Sequence, residues 1–304
     1  MNWRSLLFVP ATAERFIAKA HTRGADAVIL DLEDSIPPSE KGAARAALAG
    51  AVPRVSQEGA AVVVRVNQPL SLAVPDIAAA VGPGVAALML TKVLGPDHVR
   101  LLSEAVTERE LACGMAVGST RFLALVETVA ALPQMAAIAA ADPRMAAMGI
   151  GGEDLATELG AAPTADGLYV WAAHCIAACR TAGITPMGSL GSLSNLEDLE
   201  GYRAGLRRAR ALGFAAASCI HPAHVPIINE EYGATEEELD RARRLVAAFD
   251  LALSQRLGAV AFEGRMIDLP IVERARRLLI RAEGWRIEKA PPTGDRQAQQ
   301  ERPS

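Results

Sequence analysis

The sequence predicts an α/β fold, a (β/α)8 TIM barrel followed by a C-terminal helical extension. Three observations carry this prediction. The chain of 304 residues is long enough for a barrel of about 250 residues plus an extension. Eight short apolar runs recur along it, separated by helix-forming segments too long for hairpin turns. Apolar residues make up 51% of the chain but aromatic residues only 4%, which suits close packing of helices against a parallel sheet.

The eight apolar runs are the predicted strands. Several are apolar throughout rather than alternating, as expected for parallel strands covered by helices on both faces. In chain order they are Ser5–Val9, Ala27–Asp31, Ala60–Val66, Ala86–Thr91, Phe122–Val126, Met145–Ile150, Ile184–Met187 and Ala215–Ile220.

Residues that favour helix ends mark the segments between these strands. Thr12, Ser39 and Asn195 stand where helix N-caps are expected. Gly24 and Gly213 stand where helices are expected to end. Eight alternations of strand and helix favour a closed barrel. A doubly wound sheet is the competing architecture, but no glycine-rich phosphate turn follows the first strand.

The pattern changes after the eighth strand. We predict a barrel domain at residues 1–231, a helical extension at 232–284 and a disordered tail at 285–304. Thr235 and the three glutamates that follow it form a capping-box start for a helix running to about Leu257. A short extended or looped piece and a second helix at Leu269–Ala282 come next. The tail is polar and contains proline, which disfavours regular structure.

Charge and composition exclude several classes of protein. The 31 basic and 35 acidic residues give a net charge of −4, which provides no general attraction for nucleic acid or anionic membranes. No apolar run reaches the roughly 18 residues of a membrane span, and the N-terminal apolar stretch is too short for a signal peptide. Four cysteines without a CxxC pair favour buried thiols in a reducing compartment. We therefore expect a cytoplasmic protein with no nucleic-acid or membrane partner.

Charged and polar side chains cluster just after the predicted strands. They are Asp31, Glu33, Asp34, Arg65, Asn67, Lys92, Glu127, Glu153, Asp154 and His221. In a barrel these positions meet at one mouth, where active sites lie. A lone acid there can simply cap the next helix, but several converging carboxylates need a cation. Oxygen ligands favour Mg²⁺, which we expect Glu127 and Asp154 to bind together with the oxygens of a 2-oxo acid.

Seven segments resemble one known family in order and spacing. They are RSLLFVPA (4–11), DAVILDLEDSI (26–36), VRVN (64–67), LVETVAAL (125–132), GIGGEDLATELG (149–160), CIHP (219–222) and GRMIDLPIVERA (264–275). Each segment is weak alone, but together they run from residue 4 to about residue 280. The chain therefore resembles the citrate lyase β-subunit-like family, within the magnesium-dependent acyl-CoA lyase and aldolase superfamily.

The resemblance implies an activity and an assembly. The activity is reversible Mg²⁺-dependent cleavage of a 3-hydroxy-carboxyacyl thioester, of the citramalyl, malyl or citryl type, carried by coenzyme A or a carrier protein. The products are an acetyl-type thioester and a 2-oxo acid such as pyruvate or oxaloacetate. The assembly is a homotrimer or hexamer, in which the extension of one subunit covers the active site of a neighbour.

The matching motifs also imply roles for individual residues. Glu127 in LVET and Asp154 in GGEDL match the Mg²⁺ ligands, and Arg65 in VRVN matches the contact to the substrate and its thioester oxygen. Asp268 in RMIDLP matches the acid/base carboxylate that the extension delivers. The alternative for Asp268 is that it caps the helix that begins near Pro270.

Other positions at the mouth are further candidates. Glu33 is a candidate catalytic residue that orients Arg65 or holds water of the metal shell, and the alternative is a helix-terminus charge. Gly151 and Gly152 would let backbone N–H groups approach the substrate carboxylate, unless they only form a tight turn. Asn67 is a candidate substrate contact.

Two further sets of residues have weaker claims. His221 is expected to fix the turn after the eighth strand by hydrogen bonding rather than to act as a base. Candidates for the phosphates of the thioester arm are Lys19, Lys41, Arg45 and Lys92. Surface lysines, however, are usually only solvated.

The chain departs from the family pattern at three places. Ala217 stands in a lysine position, Thr91 stands where proline is expected, and the aspartate common after the seventh strand is missing. These departures motivate the hypothesis of a non-catalytic binding or regulatory barrel. Two enzymatic hypotheses stand beside it: a free-standing lyase, and the β subunit of a multi-subunit citrate lyase that acts on a citryl carrier protein. Condensation with a different partner, in a malate-synthase-like direction, is a further alternative.

Overall fold

The computed structural model describes residues 1–190 and 197–288, which form two compact units. The first unit contains Met1 and the residues from Trp3 to Gly233. The second contains Asn2 and the residues from Ala234 onward. The change of sequence pattern at residues 231 and 232 lies close to this division.

Eight parallel strands form the centre of the first unit. They are β1 (Ser5–Pro10), β2 (Ala27–Asp31), β3 (Ala61–Val66), β4 (Ala87–Leu90), β5 (Arg121–Val126), β6 (Met145–Ile150), β7 (Thr185–Met187) and β8 (Ala217–Cys219). The strands pair in the order β7-β6-β5-β4-β3-β2-β1-β8. A parallel bridge between Met187 and Ala216 connects the two ends of the sheet. The predicted (β/α)8 barrel is confirmed, and every predicted strand overlaps an observed one.

Helices connect the strands and surround the sheet. Those of the first unit are α1 (Glu14–Ala20), α2 (Lys41–Val55), α3 (Leu70–Ala80), α4 (Pro96–Ala112), α5 (Met135–Ala139), α6 (Gly152–Leu159), α7 (Ala165–Ala182), α8 (Leu199–Leu212) and α9 (His224–Glu231). In the described residues no helix is both long and apolar enough to cross a membrane.

The core of the first unit has two layers, because both faces of the strands are buried. Inside the barrel, side chains such as Leu6, Ile29 and Met89 form one apolar cluster. Alternate residues such as Leu30 and Val64 face the helices and form a second, larger cluster. Side chains on both faces explain why the strands read as continuous apolar runs. The four cysteines are free thiols, and three of them are buried.

Two of the predicted helix starts are wrong. Thr12 precedes a turn in which the Ala13 N–H donates to Pro10 O, and α1 begins only at Glu14 without a side-chain cap. Ser39 lies inside a short 3₁₀ turn, Pro38–Glu40, that leads into α2. In both places a proline-containing turn delays the helix by one residue, so that Ala13 and Glu40 take the N-cap positions.

The remaining predicted helix ends have mixed outcomes. Asn195 lies outside the described residues, and the Asp198 side chain caps α8 by accepting the Gly201 N–H. Gly24 and Gly213 do follow the ends of helical segments, as predicted, and the structure gives both a positive φ. Such φ angles favour glycine because it lacks a Cβ.

The second unit is a helix, a hairpin and another helix. Helix α10 (Glu236–Ser254) begins with the predicted capping box at Thr235. Strands β9 (Ala259–Phe262) and β10 (Arg265–Asp268) form an antiparallel hairpin, where the sequence predicts only an extended or looped piece. Helix α11 runs from Leu269 to Glu288, six residues beyond its predicted end at Ala282. The predicted tail thus begins within α11, and residues 289–304 lie outside the described residues.

Candidate active site

The carboxyl ends of β2 to β6 bring seven charged side chains into one contact network. They are Asp31, Glu33, Asp34, Arg65, Lys92, Glu127 and Asp154. Asp31 is the last residue of β2, Arg65 is the next-to-last residue of β3, and the other five follow strands. The chain direction therefore delivers all seven to the same mouth of the barrel. The convergence inferred from the sequence is therefore present in the first unit.

Asp31 holds Arg65 in a two-bond fork. The two residues are register partners on β2 and β3. The Nε–H and an Nη2–H of Arg65 donate to the two carboxylate oxygens, each at 2.6 Å. Burial opposes the charged form of both groups, yet these bonds lower the pKa of Asp31 and raise the pKa of Arg65. The guanidinium is thus charged and fixed in direction.

Arg65 has two further kinds of contact. The face of its guanidinium lies on the Phe8 ring, and the edge away from Asp31 meets Glu33 and Asp34. The guanidinium carbon lies 4.8 Å from the centre of the Phe8 ring. Nη1 is 3.0 Å from Glu33 Oε2 and 3.4 Å from Asp34 Oδ2. A planar guanidinium that stacks on a ring and forks with a carboxylate has little freedom to rotate.

Lys92 joins this arginine to the next two strands. Its Nζ donates to Glu33 Oε1 at 2.6 Å and lies 3.6 Å from Asp154 Oδ2. Its main-chain N–H donates to Glu127 Oε2 at 2.6 Å. Burial would lower the pKa of Lys92, but the hydrogen bond to Glu33 and the surrounding carboxylates raise it. Lys92 is therefore a charged group inside the carboxylate ring and not a free surface lysine.

Glu127 and Asp154 are the two expected metal ligands. Glu127 follows β5 and is only 4% exposed, whereas the Asp154 side chain in the first turn of α6 is 47% exposed. Burial raises the pKa of Glu127 to about 7; the Lys92 N–H opposes this shift, and the charges of Asp154 and Glu33 add to it. A Cβ on Gly151 would overlap Glu127 Oε1, so this carboxylate occupies space that only glycine leaves open.

The donor set fits a divalent cation with open coordination positions. The contact network contains five carboxylates, those of Asp31, Glu33, Asp34, Glu127 and Asp154. Three positive charges face them, on Arg65, Lys92 and the nearby Lys41. When all these groups are ionised, the site has an excess of two negative charges. No group of three or more His, Cys, Asp or Glu side chains in the described residues is arranged to hold a metal. Two carboxylates with room for water and substrate oxygens are what Mg²⁺ accepts.

Several other candidates are used within the fold. The Asn67 side-chain amide donates to Leu32 O at 2.9 Å and to Asp76 Oδ2 at 2.6 Å, and its contact with a substrate stays a prediction. Lys41 Nζ donates to the carbonyls of Leu32 and Glu33, and Arg45 pairs with Asp76 at 2.6 Å. The Lys41 bonds hold the loop after β2, and the Arg45 pair joins α2 to α3. A contact of either residue with a phosphate stays a prediction.

His221 and Gly152 lie at the same end of the barrel. His221 Nδ1 accepts the Ala223 N–H at 3.2 Å, as expected for a residue that fixes the turn after β8. Gly152 is the first residue of α6, where a Cβ would come within 3.1 Å of Leu168 Cδ1. The Gly151 N–H donates to Val126 O at 3.1 Å, so the prediction that this group binds a substrate carboxylate is wrong. The N–H groups of a first helical turn have no partner inside the helix, so Gly152 stays a candidate.

The departures from the family pattern remove nothing from the mouth that the structure describes. Ala217 is buried with Cys219 in the cluster that faces the helices, so a lysine side chain there would start away from the barrel interior. The Thr91 hydroxyl donates to Val66 O at 3.0 Å. The segment after β7, which lacks the aspartate common in the family, continues into residues 191–196, outside the described residues.

A pocket of about 640 Å³ opens beside Arg65 in the first unit. Its walls are mainly apolar and come from β1, α1 and the segment after β8, and Lys19 and Arg23 contribute basic side chains. The pocket is also lined by Asp31, Asp34 and Arg65, so it reaches the contact network at the mouth of the barrel. A long, partly apolar ligand therefore fits here with a polar end on Arg65.

Asp268 belongs to the second unit, where it ends β10 and is exposed. Its acid/base role stays a prediction.

Sequence reasoning missed the partners that hold Arg65 and Glu127. In the sequence, Asp31 is one of several acidic residues that follow predicted strands. Alignment of β2 with β3 would have placed it opposite Arg65 and indicated the pair. Phe8 gave no signal beyond an apolar strand residue. The main-chain bond from Lys92 to Glu127 depends on a backbone angle that no side-chain pattern encodes.

Comparison with known proteins identifies the family. The HpcH/HpaI aldolase/citrate lyase family profile matches residues 4–222. The citrate lyase subunit beta of Haemophilus influenzae is 32% identical over 283 residues, covering 92% of this chain and 96% of that protein. The L-malyl-CoA/beta-methylmalyl-CoA lyase of Cereibacter sphaeroides is 30% identical over 306 aligned positions, covering 92% and 94%.

A solved structure agrees with these sequence matches. The protein CitE from Mycobacterium tuberculosis, in complex with magnesium, acetoacetate and coenzyme A, superposes with a TM-score of 0.71 at 32% identity. The superposition covers 92% of this chain and 97% of that one. The chain therefore belongs to the HpcH/HpaI aldolase/citrate lyase family, as its motifs predict, and is a lyase of the citrate lyase β type.

Proposed function

We propose that this protein is a Mg²⁺-dependent carbon–carbon lyase that splits a 3-hydroxy-carboxyacyl thioester into an acetyl-type thioester and a 2-oxo acid. One observation carries the proposal: the Glu127 and Asp154 carboxylates lie in the same network as an Arg65 guanidinium that Asp31 holds in place. The relatives named as citrate lyase subunit and malyl-CoA lyase support the substrate class.

The reaction changes the charge at two points of the substrate, its hydroxyl group and its thioester fragment. The C–C bond breaks as the hydroxyl of the substrate loses its proton, and the bonding electrons move onto the thioester fragment as an enolate. The hydroxyl carbon becomes the carbonyl of the 2-oxo acid. The enolate carbon then takes up a proton and becomes the acetyl methyl group, so that no redox partner is required.

Glu127 and Asp154 are the residues that would hold Mg²⁺. The bound ion would supply Lewis-acid stabilisation of the carboxylate and carbonyl oxygens of the 2-oxo acid half. The Gly152 N–H at the start of α6 would orient the same carboxylate, and the Asn67 oxygen is a further candidate contact.

Arg65 is the proposed catalytic residue for the enolate. Asp31 occupies one edge of its guanidinium, and the longest contact on the other edge is Nη1 to the exposed Asp34, at 3.4 Å. The thioester oxygen would approach this edge and replace Asp34. A fixed donor aimed at charge that develops in the transition state contributes roughly 3–4 kcal/mol. Glu33 would act through Arg65, which it contacts, and is therefore a positioning residue.

The thioester arm would occupy the apolar pocket beside Arg65, with Lys19 and Arg23 available for its phosphates. The solved relative with bound coenzyme A supports such an arm. A second candidate, the β subunit of a citrate lyase acting on a citryl carrier protein, is favoured by the 32% identity to a citrate lyase subunit beta.

Asp268 and the assembly complete the proposal. Asp268 would exchange the proton with the hydroxyl or the enolate carbon after the extension has excluded water. We propose that the extension acts on a neighbouring subunit within a homotrimer or hexamer. Free cysteines suit a reducing compartment, so that we propose the cytoplasm as its location.

The test is a turnover assay with purified protein, Mg²⁺ and citramalyl-, malyl- and citryl-CoA. We expect 2-oxo acid release from at least one thioester and loss of release with chelator. Release from a citryl carrier protein alone, with co-purification of the carrier, would favour the subunit hypothesis. Binding of a 2-oxo acid without any turnover would favour the non-catalytic barrel and overturn the proposal.

A further inference from the structure

Lys92 has an unusual backbone for its position. In the part of the chain that the structure describes, three non-glycine residues have positive φ: Lys92 at 48°, Arg256 at 64° and Glu263 at 49°. Arg256 follows the end of a helix and Glu263 forms a hairpin turn, where such angles are common. Lys92 instead follows β4 at the mouth of the barrel, and a left-handed angle costs roughly 1 kcal/mol or more for a residue with a Cβ.

The strained angle accompanies a short bond to an expected metal ligand. The Lys92 N–H donates to Glu127 Oε2 at 2.6 Å. On the other oxygen, the missing Cβ of Gly151 leaves the space that Glu127 Oε1 fills. Glu127 is thus positioned from two sides by main-chain features of the segment after β4 and of the residue before α6.

The side chain of Lys92 connects the two halves of the site. Its Nζ binds Glu33 Oε1 at 2.6 Å, while the other oxygen of Glu33 lies 3.0 Å from Arg65 Nη1. The same Nζ lies 3.6 Å from Asp154 Oδ2. One ammonium therefore contacts an acid that orients the arginine and an acid that is an expected metal ligand.

We propose that Lys92 is a positioning residue that links the arginine and the metal halves of the site. Its main-chain N–H orients Glu127, and its ammonium fixes Glu33 against Arg65 while it offsets negative charge next to Asp154. Lys92 thereby weakens Mg²⁺ binding and increases turnover. This inference rests on the proposed function, because it assumes that Glu127 and Asp154 hold Mg²⁺.

Replacing Lys92 separates the two effects of its ammonium group, the effect on Mg²⁺ binding and the effect on turnover. Without it, two cations face the same five carboxylates, so that a divalent ion meets less repulsion and binds more tightly. At the same time Glu33 loses one of its two cationic partners, and Arg65 loses part of its support. A lysine that served only the stability of the fold would instead weaken Mg²⁺ binding and turnover together.

The test measures Mg²⁺ binding by calorimetry on the purified full-length protein, together with kcat and KM for the thioester. For Lys92→Met we expect Mg²⁺ affinity to rise by about three- to tenfold, and kcat to fall by at least about tenfold with KM changed less. Lys92→Arg keeps the charge and should hold Mg²⁺ affinity within about twofold of the original.

Two glycine variants separate the backbone from the side chain. Lys92→Gly keeps the N–H to Glu127 and should also bind Mg²⁺ more tightly than the original protein. Arg256→Gly relieves a similar φ angle on an exposed residue and should leave Mg²⁺ affinity and kcat unchanged. If Lys92→Met does not fold, the arginine and glycine variants carry the same comparison.

The outcomes separate this inference from the proposed function. No Mg²⁺ binding and no turnover by the original protein would contradict the proposed function. Mg²⁺ binding and turnover by the original protein, with unchanged or weaker Mg²⁺ affinity in Lys92→Met and Lys92→Gly, would overturn the role assigned to Lys92.

Discussion

The Arg65 guanidinium makes contacts on both edges and on one face. Its Nε and Nη2 bind the two oxygens of Asp31 at 2.6 Å each, its face lies on Phe8, and its second edge points to Glu33. A lysine carries the same charge but has neither the planar fork nor the stacking face. The position therefore requires arginine for direction as well as for charge.

We predict that Arg65→Lys lowers kcat by about 10²- to 10³-fold, because the ammonium cannot hold the direction in which the enolate charge is stabilised. Steady-state kinetics with the preferred thioester would measure this loss. Arg54→Lys is a matched control, since Arg54 also binds a carboxylate through two bonds, to Glu14, but on the exposed surface. Equal rates for both variants would contradict the role of Arg65.

Gly151 leaves the space that the Glu127 carboxylate fills. A Cβ at this position overlaps Glu127 Oε1, so Gly151→Ala should displace the carboxylate and weaken Mg²⁺ binding by about 10- to 100-fold. Calorimetry would measure the change. The control is Gly50→Ala inside α2, where no atom lies within 4 Å of the added Cβ and where we expect unchanged Mg²⁺ affinity. Unaltered binding by Gly151→Ala would show that Glu127 does not need this space.

At the scale of elements, the strands and their order follow from the apolar runs, because a strand buried on both faces leaves a continuous apolar signature. The mouth residues follow as well, since strand ends are where the runs stop. The caps at Thr12 and Ser39 failed because turns precede those helices. The left-handed angle of Lys92 and the fork from Asp31 depend on packing between strands, which no single segment contains.

A buried ion pair supports the opposite end of the barrel. Glu110 on α4 accepts bonds from Arg144 at 2.8 and 2.9 Å and from the N–H groups of Gly118 and Thr120. Thr120 and Arg144 directly precede β5 and β6. Burial would raise the pKa of Glu110, but the Arg144 bonds and the backbone N–H groups lower it to about 2.

Because the folded-state pKa of Glu110 lies below its unfolded value, its contribution to stability is present above about pH 4.5 and is lost as the pH falls towards about 2. We predict that Glu110→Gln lowers the free energy of unfolding by about 3 kcal/mol at pH 7 and by much less near pH 2 to 3. Urea unfolding at both pH values measures this. Glu108→Gln, on an exposed position of the same helix, should change it by less than about 0.5 kcal/mol.

At the scale of the whole molecule, Asp268 poses the question of assembly. It lies in the second unit, and the family resemblance implies that it serves a neighbouring subunit. We predict that Glu127→Gln and Asp268→Asn are each inactive alone, but that mixed oligomers refolded from both regain activity. With random mixing, about a quarter of the sites would combine an intact Glu127 with an intact Asp268 from a neighbour. No recovery in verified mixed oligomers would place both residues in one subunit's site.

We propose that Glu127 and Asp154, the carboxylates that follow β5 and β6, make this barrel a Mg²⁺-dependent thioester lyase. The most direct measurement compares 2-oxo acid release by the original protein and by Asp154→Ala, with Mg²⁺, with circular dichroism as the check on folding. We expect release by the original protein and a loss of at least about 10³-fold in a folded Asp154→Ala variant. Equal release by the two proteins, or no release by the original protein from any of the three thioesters, would contradict it.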